Sequence, residues 1–326
     1  MQQRRLGQSG YQVSEIGLGC WQLGDDFGPL EDSQALETLN TALERGIRFF
    51  DTADVYGAGL SEERIGKWLQ GLSDKPVVAT KVGRGSGLYP DGYTREKVRQ
   101  SLQDSARRLR VEALDLAQLH CVPPQILRSG ELLGWMEEFK QQGLIRAYGA
   151  SVESLDEAQF CCDQPGLSTV QIIFNLLRQD AGGELLDKAA ANDIGVIVRL
   201  PLASGLLSGR LRLDQQFSEQ DHRHYNRDGD AFHVGETFNG LPYARGIELV
   251  EELRDLLPAG TDMASLALRW ILDHPQVSTV IAGSGKPQQV ISNAAASDLP
   301  ALSKELHQQL RDFYYHKVRE HIRGGI

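Results

Sequence analysis

Two periodicities alternate along the chain. Short contiguous apolar runs, each closed by a small or polar residue, have the form of buried strands; between them apolar residues recur every three or four positions, as on one face of a helix. The runs predict strands at 14–19, 47–51, 76–81, 113–120, 145–151, 168–175, 195–199 and 279–283. Helical spacing connects them. Ala35, Leu36, Leu39 and Leu43 form one face. Ser61 is the expected cap of a helix running to Leu69, and Thr94 opens a helix carrying Val98, Leu102 and Leu109. Helical patterns also cover 132–142, stopped by Gly143, then 154–162 behind Ser154, then 183–192, and a stretch opened by Pro287, where proline suits a first turn.

A strand followed by a helix, eight times over, predicts an α/β fold of the (β/α)₈ TIM-barrel type, with residues 1–326 as one domain. Residues 5–14 predict an N-terminal β-hairpin turning at Gln8-Ser9-Gly10 and capping the bottom of the barrel. The expected strand ends are Gly19, Asp51, Lys81, His120, Ser151, Asn175, Arg199 and Gly283. The step from Arg199 to Gly283 is much longer than the others, so an insertion follows strand seven. Its first part, 211–239, is polar and aperiodic and is expected to be a mobile loop over the barrel mouth. Helices at 244–257 and 262–273 come next, and an extra C-terminal helix at 303–319 ends near Gly324-Gly325, expected to fray.

Composition narrows the function. The 326 residues are 41% hydrophobic and 24% charged, ordinary values for a chain with a large core. A net charge of −10 argues against nucleic acid as the main partner, since there is no basic excess to neutralise phosphates. The first ten residues lack an apolar signal segment, and no run is long enough to span a membrane. Cys20, Cys121, Cys161 and Cys162 have no metal-finger spacing and read as reduced thiols, with Cys161-Cys162 a half-buried helix pair. A cytoplasmic location follows as the expectation.

The chemistry lies at the strand ends. Asp51, Lys81 and His120 close three consecutive runs, and Tyr56 follows five residues after Asp51. Alone, each has a plain structural reading as a turn residue, a surface charge, a satisfied polar group or a half-buried ring. Together, at the end of a barrel where loops carry function, they form a proton-transfer set. A phenol is a weak acid near neutral pH, and a neighbouring ammonium, here Lys81, is expected to lower its pKa; Asp51 would hold Lys81, and His120 would orient a substrate oxygen. His222, His224 and His233 include a His-x-His pair without a third ligand at fixed spacing, so no metal is expected.

The chain resembles the aldo-keto reductase superfamily. The resemblance is carried by G-L-G-C-W (17–21), D-T-A-D-V-Y-G (51–57), V-V-A-T-K-V-G (77–83), L-D-L-A-Q-L-H (114–120), Y-G-A-S (148–151), P-L-A-S-G-L-L-S-G (201–209) and I-A-G-S-G-K-P-Q-Q-V-I-S-N (281–293). It implies reduction of an aldehyde or ketone by NADPH, with Tyr56 as proton donor, Lys81 and Asp51 tuning it, and His120 orienting the carbonyl. It also implies cofactor contacts. Ser151 and Gln171 match the residues that meet the nicotinamide carboxamide, while Val152 stands where relatives have asparagine. Gly19, Cys20, Trp21 and Asp51 fall beside the cofactor. Pro201, Leu202, Gly205 and Leu207 match a pyrophosphate loop. Gly283, Ser284 and Lys286 match the 2′-phosphate site, and Gln289 and Asn293 the adenine contacts. Lys286 beside a helix start favours NADPH (NADP⁺) over NADH.

At the end of strand seven many relatives place an aromatic ring against nicotinamide; this chain has Arg199. A guanidinium also stacks on rings, and its charge is expected to disfavour oxidised nicotinamide. Trp21, Phe27, Tyr89 and the loop around Tyr225 are expected to wall the substrate pocket. The alternatives are an NAD(P)-dependent sugar or alcohol dehydrogenase, a cofactor-sensing regulatory subunit of the same fold, and a barrel lyase using Lys81 as a Schiff base. The expected partner is a small-molecule carbonyl substrate; the substrate's identity and the oligomeric state are not readable from sequence.

Overall fold

A computed structural model describes residues 1–85 and 87–326. Among them, eight parallel strands close into a barrel in the order β10-β3-β4-β5-β6-β7-β8-β9. The strands are β3 (Ile16–Gly19), β4 (Phe49–Asp51), β5 (Val77–Val82), β6 (Leu114–His120), β7 (Ile145–Ser151), β8 (Thr169–Ile173), β9 (Gly195–Arg199) and β10 (Val277–Gly283). Below them β1 (Gln3–Arg5) pairs antiparallel with β2 (Gln12–Ser14).

Helices α1 (Asp32–Glu44), α2 (Leu60–Leu69) and α3 (Arg95–Leu109) follow the first three barrel strands. After β6 come α4 (Pro124–Ser129) and α5 (Glu131–Gln141); the first of these, a six-residue helix opened by proline, was too short to leave a periodicity in the sequence. Then come α6 (Leu155–Cys162) and α7 (Glu184–Ala191). The insertion after β9 holds α8 (His222–Tyr225), α9 (Tyr243–Arg254) and α10 (Met263–Leu272), and α11 (Pro287–Ala295) and α12 (Lys304–Phe313) complete the chain. Thr94 and Ser154 cap α3 and α6 as expected, the latter with a reciprocal bond to Glu157.

Ser61 is not a cap. Gly59, at φ +99°, precedes α2, and Ser61 lies inside the helix, where its Oγ donates to the Cys20 carbonyl (2.8 Å) and accepts from Thr52 Oγ1 (2.8 Å). It ties the end of β3 to the loop after β4.

Side chains alternate across a strand, so every second residue faces the barrel interior. At the bottom those residues are apolar: Phe49, Ala79, Leu116, Ala147, Ile197 and Ile281 pack with Leu6 and Val13 of the hairpin. The hairpin thus plugs the bottom, and a side-chain carbon added at Gly7 would lie 2.3 Å from Gly195 N. Two residues further up the same strands stand Asp51, Lys81, Gln118 and Arg199. The interior changes from apolar to polar within one strand repeat. A second, larger cluster fills the space between barrel and helices, and it takes in both members of the Cys161-Cys162 pair, which are more buried than the half-buried expectation.

Segment 211–239, expected to be a mobile loop over the barrel mouth, lies there and carries the short helix α8. Some of its polar residues, among them Asn226 and Asn239, are buried and bonded: Asn226 Oδ1 accepts from the backbone of Ala231 (3.0 Å) and Phe232 (2.8 Å), and Asn239 Nδ2 donates to Asn175 Oδ1 (2.8 Å). The C-terminal tail is likewise docked, with Arg323 Nε donating to the Gly240 carbonyl (2.8 Å) and Arg178 Nη2 to that of Gly325 (2.8 Å). Among the described residues, no helix is long and apolar enough to cross a membrane.

Candidate active site

Five strands deliver one buried polar group. Lys81 Nζ donates to Asp51 Oδ1, to the Thr52 carbonyl (2.9 Å) and to the Tyr56 hydroxyl (3.2 Å). The other Asp51 oxygen accepts from Gln171 Nε2 (2.8 Å) and Gln118 Nε2 (3.1 Å). Ser151 Oγ donates to Gln171 Oε1 (3.3 Å). Every polar atom of the Asp51 carboxylate is therefore held by a strand other than its own, which fixes it without a loop. Gln118 was missed in the sequence, although it lies two residues before His120 on the same strand face.

Tyr56 sits in a turn rather than on a strand, and the loop after β3 sets its place. Trp21 stacks on its ring at 5.6 Å and 17°. Gly57 at φ +58° presses on Gly24, where an added carbon would lie 2.2 Å from the Gly24 carbonyl oxygen, and the Gly57 N–H donates to Asp26 Oδ2 (3.0 Å). The His120 ring meets the Tyr56 ring edge-on at 6.1 Å.

Burial governs the ionisation of this group. It pushes the Tyr56 phenol above its ordinary value; Lys81 pulls the other way and Asp51 adds to the rise. The net shift is opposite to the lowering expected from Lys81 alone, because burial outweighs the ammonium and Asp51 offsets part of its effect. Burial pulls Lys81 down, but Asp51 and Tyr56 outweigh it and leave the ammonium more firmly charged than usual. Burial, with Arg84 and Lys81, holds His120 well below the usual imidazole range, so the ring is neutral at pH 7.

A cavity of about 590 Å³ opens above the group, a volume typical of small-molecule sites. Its wall includes Tyr56, His120, Asp51, Ser151, Gln171 and Arg199. The same cavity is lined by Gly19, Cys20, Trp21, Pro201, Leu202 and Gly205, and by Gly283, Lys286 and Gln289. Leu207, Ser284 and Asn293 are buried outside the lining. Asn293 Nδ2 donates to Ser284 Oγ (3.0 Å), and both brace the turn before α11. Gln22 and Gln34, which no motif flagged, also reach the lining, and Gln34 Nε2 donates to the Gly285 carbonyl (2.8 Å). Trp21 and Phe27 line the cavity, but Tyr89 is exposed and Tyr225 packs on Phe232 outside it.

These residues fit a dinucleotide. The wall from Leu200 to Gly205 turns through positive φ at Leu200, Ala203, Ser204 and Gly205, a backbone path suited to close approach by phosphate. Buried Arg199 Nε, His120 Nδ1 and Gln22 Oε1 have no hydrogen-bond partner among the described residues.

Arg199 does not stand free to stack. It meets Glu236 from the insertion (Nη1 to Oε2, 3.2 Å) and donates to the Val152 carbonyl (3.0 Å). Glu236 also pairs with Arg84, and Arg84 Nη2 reaches Glu153 Oε1 (2.8 Å). Burial would raise the Glu236 carboxyl, but the two guanidiniums hold it well below the usual range. Burial and the adjacent Glu236 push Glu153 up to about 8. Cys121, Glu153 and Glu236 cluster closely enough to suggest a metal, but Arg84 and Arg199 already supply the cations there. His222, His224 and His233 form no such cluster among the described residues; His222 is buried between Trp21 (4.5 Å) and Phe27 (4.9 Å).

With this geometry in place, three comparisons bear on the chain. The family model "Aldo/keto reductase family" matches residues 15–314. The chain is 31% identical over 315 residues to "Uncharacterized oxidoreductase YqkF" of Bacillus subtilis (strain 168), covering 94% of each chain. Among solved structures it resembles the glycerol dehydrogenase AKR11B4 from Gluconobacter oxydans, with TM-score 0.77, 27% identity and coverage of 99% of this chain and 98% of that one. It also resembles an aldo-keto reductase from Klebsiella pneumoniae in complex with NADPH, with TM-score 0.69, 25% identity and coverage of 96% and 95%.

Proposed function

The chain belongs to the aldo/keto reductase family, and on that premise we propose that it reduces an aldehyde or ketone with NADPH, Tyr56 delivering the proton. The observation that carries this reading is the contact of Tyr56 with Lys81 on the wall of the cavity, beside a neutral His120. A phenol held above its ordinary pKa is protonated at pH 7 and has a proton to give. Lys81, 3.2 Å away, stabilises the phenolate left behind, and Asp51 keeps Lys81 in place. Neutral His120 can donate one N–H to the carbonyl oxygen and so aim it at Tyr56.

When bound, NADPH supplies the hydride that the carbonyl carbon accepts while its oxygen takes the Tyr56 proton. Ser151 and Gln171 would meet the carboxamide, Leu202 and Gly205 the pyrophosphate, and Lys286 and Gln289 the adenosine end. The NADPH complex of the Klebsiella relative supports this choice of cofactor. The likeness to a glycerol dehydrogenase favours a second reading, in which the physiological direction is alcohol oxidation at the same residues.

The test is NADPH consumption with a panel of small aldehydes and ketones, and NADP⁺ reduction with the corresponding alcohols. Turnover that falls by about 10²-fold or more in Tyr56→Phe supports the reading. Turnover that survives the substitution overturns the role of Tyr56.

A further inference from the structure

Two guanidiniums and two carboxyl groups alternate in a chain of ion pairs that ends on one side of the cavity. They come from four places: Arg84 after β5, Glu153 after β7, Arg199 at the end of β9, and Glu236 in the insertion. Glu236 is the link, since it alone of the two acids reaches both Arg84 and Arg199. Both Arg199 and Glu236 line the cavity with Tyr56 and His120. Glu236 is also close enough to bear on the charge of both, pushing Tyr56 and His120 upward.

The reacting carbon must lie within a bond or two of the oxygen that meets Tyr56, so the ring giving or taking hydride lies against the same spot. The charges that the ring meets are then few. Asp51 is already matched by Lys81, Arg223 by Asp221 (2.6 Å), and Lys286 stands at the start of α11. Arg199 and Glu236 remain. Oxidised nicotinamide carries one positive charge that the reduced ring lacks. A lone Arg199 would therefore select against the oxidised form; Glu236, although it also pairs with Arg84, offsets that charge.

We propose that Glu236 sets the chain's preference between the oxidised and reduced cofactor, by cancelling the charge of Arg199 where the nicotinamide ring binds. The proposal rests on the reading of this cavity as an NADPH site. It replaces the expectation that Arg199 by itself biases the site towards the reduced form.

The experiment is calorimetric titration of NADPH and of NADP⁺ into the full chain at pH 7. The quantity read is the ratio of the two dissociation constants, NADP⁺ over NADPH. Glu236→Gln keeps the shape of the side chain and removes its charge. One unit charge a few ångströms from the ring, in a partly buried site, changes this ratio on the order of tenfold. The ratio is expected to rise about that much in Glu236→Gln and to fall in Arg199→Gln, which leaves the carboxylate paired with Arg84 alone. A merely structural role for either residue would weaken both cofactor forms alike and leave the ratio unmoved. Ratios within about twofold of the parent in both variants overturn the proposal while leaving the NADPH reading intact. If the parent chain binds neither form, the cofactor reading itself falls, and this inference with it.

Discussion

Replacing Lys81 with methionine tests whether the Lys81–Asp51 pair is held as tightly as its burial implies. Each side chain is 1% exposed. Removing the ammonium leaves a buried carboxylate whose remaining side-chain partners are the amides of Gln118 (3.1 Å) and Gln171 (2.8 Å). Breaking a buried pair by deleting one partner costs about 3–5 kcal/mol, because the other charge is left without compensation. The two amides already solvate one carboxylate oxygen, so the lower end, about 3 kcal/mol, is expected. Lys81→Met combined with Asp51→Asn removes the stranded charge and should cost less than Lys81→Met alone, although it carries one more substitution. Urea unfolding followed by circular dichroism gives both free energies, and kcat is expected to drop by about 10²-fold or more in both variants. The stability argument is refuted if Lys81→Met costs under about 1 kcal/mol, or if the double variant is the less stable of the two. Recovery of stability without recovery of kcat would separate the structural demand on the pair from its chemical one.

Two further substitutions probe how the turn after β4 holds Tyr56. Burial raises the Asp26 carboxyl to about 6, while the Gly57 N–H pulls it back. Its stabilising contribution is therefore fully present below the unfolded carboxylate value near 4 and is lost as pH rises through about 6. Asp26→Asn keeps an acceptor for Gly57 and removes the titration, so the melting temperature should depend less on pH between 4 and 6.5; an unchanged slope would rule out this role for Asp26. At Gly57, an added methyl meets the Gly24 backbone at 2.2 Å, so Gly57→Ala should cost about 1–3 kcal/mol and displace Tyr56. A fall in kcat beyond what the loss of folded protein explains is the expected result. Full activity at a temperature where the variant is folded would show that the turn tolerates the shift.

Much of the barrel was legible because strand and helix periodicities are local. Each strand needs only its own apolar run, and the runs ending at Asp51 and His120 announce their elements without knowledge of neighbours. The same locality put Asp51, Tyr56, Lys81 and His120 forward, since strand ends in this fold share one face of the molecule. Where the reading failed, the deciding partner was distant in the chain. Ser61 has the residue type of a cap, but the Cys20 carbonyl, 41 positions away, claims its hydroxyl. The aperiodic segment 211–239 gave no contact to read, and its Asn239 finds its partner in Asn175, 64 positions away.

The sequence by itself determined the order of strands and helices and the set of groups at the barrel's upper end. It could do so because a strand's two faces and a helix's stripe are written within ten or twenty residues. Only the tertiary structure decided the charge state of those groups. Lys81 was expected to lower the Tyr56 pKa, but Asp51 shares that ammonium and burial takes the phenol the other way. Arg199 was expected to set its charge against oxidised nicotinamide, but Glu236, from a segment with no periodicity to read, lies against it. Coulomb energies depend on separation in space and on burial, and closing the barrel sets both.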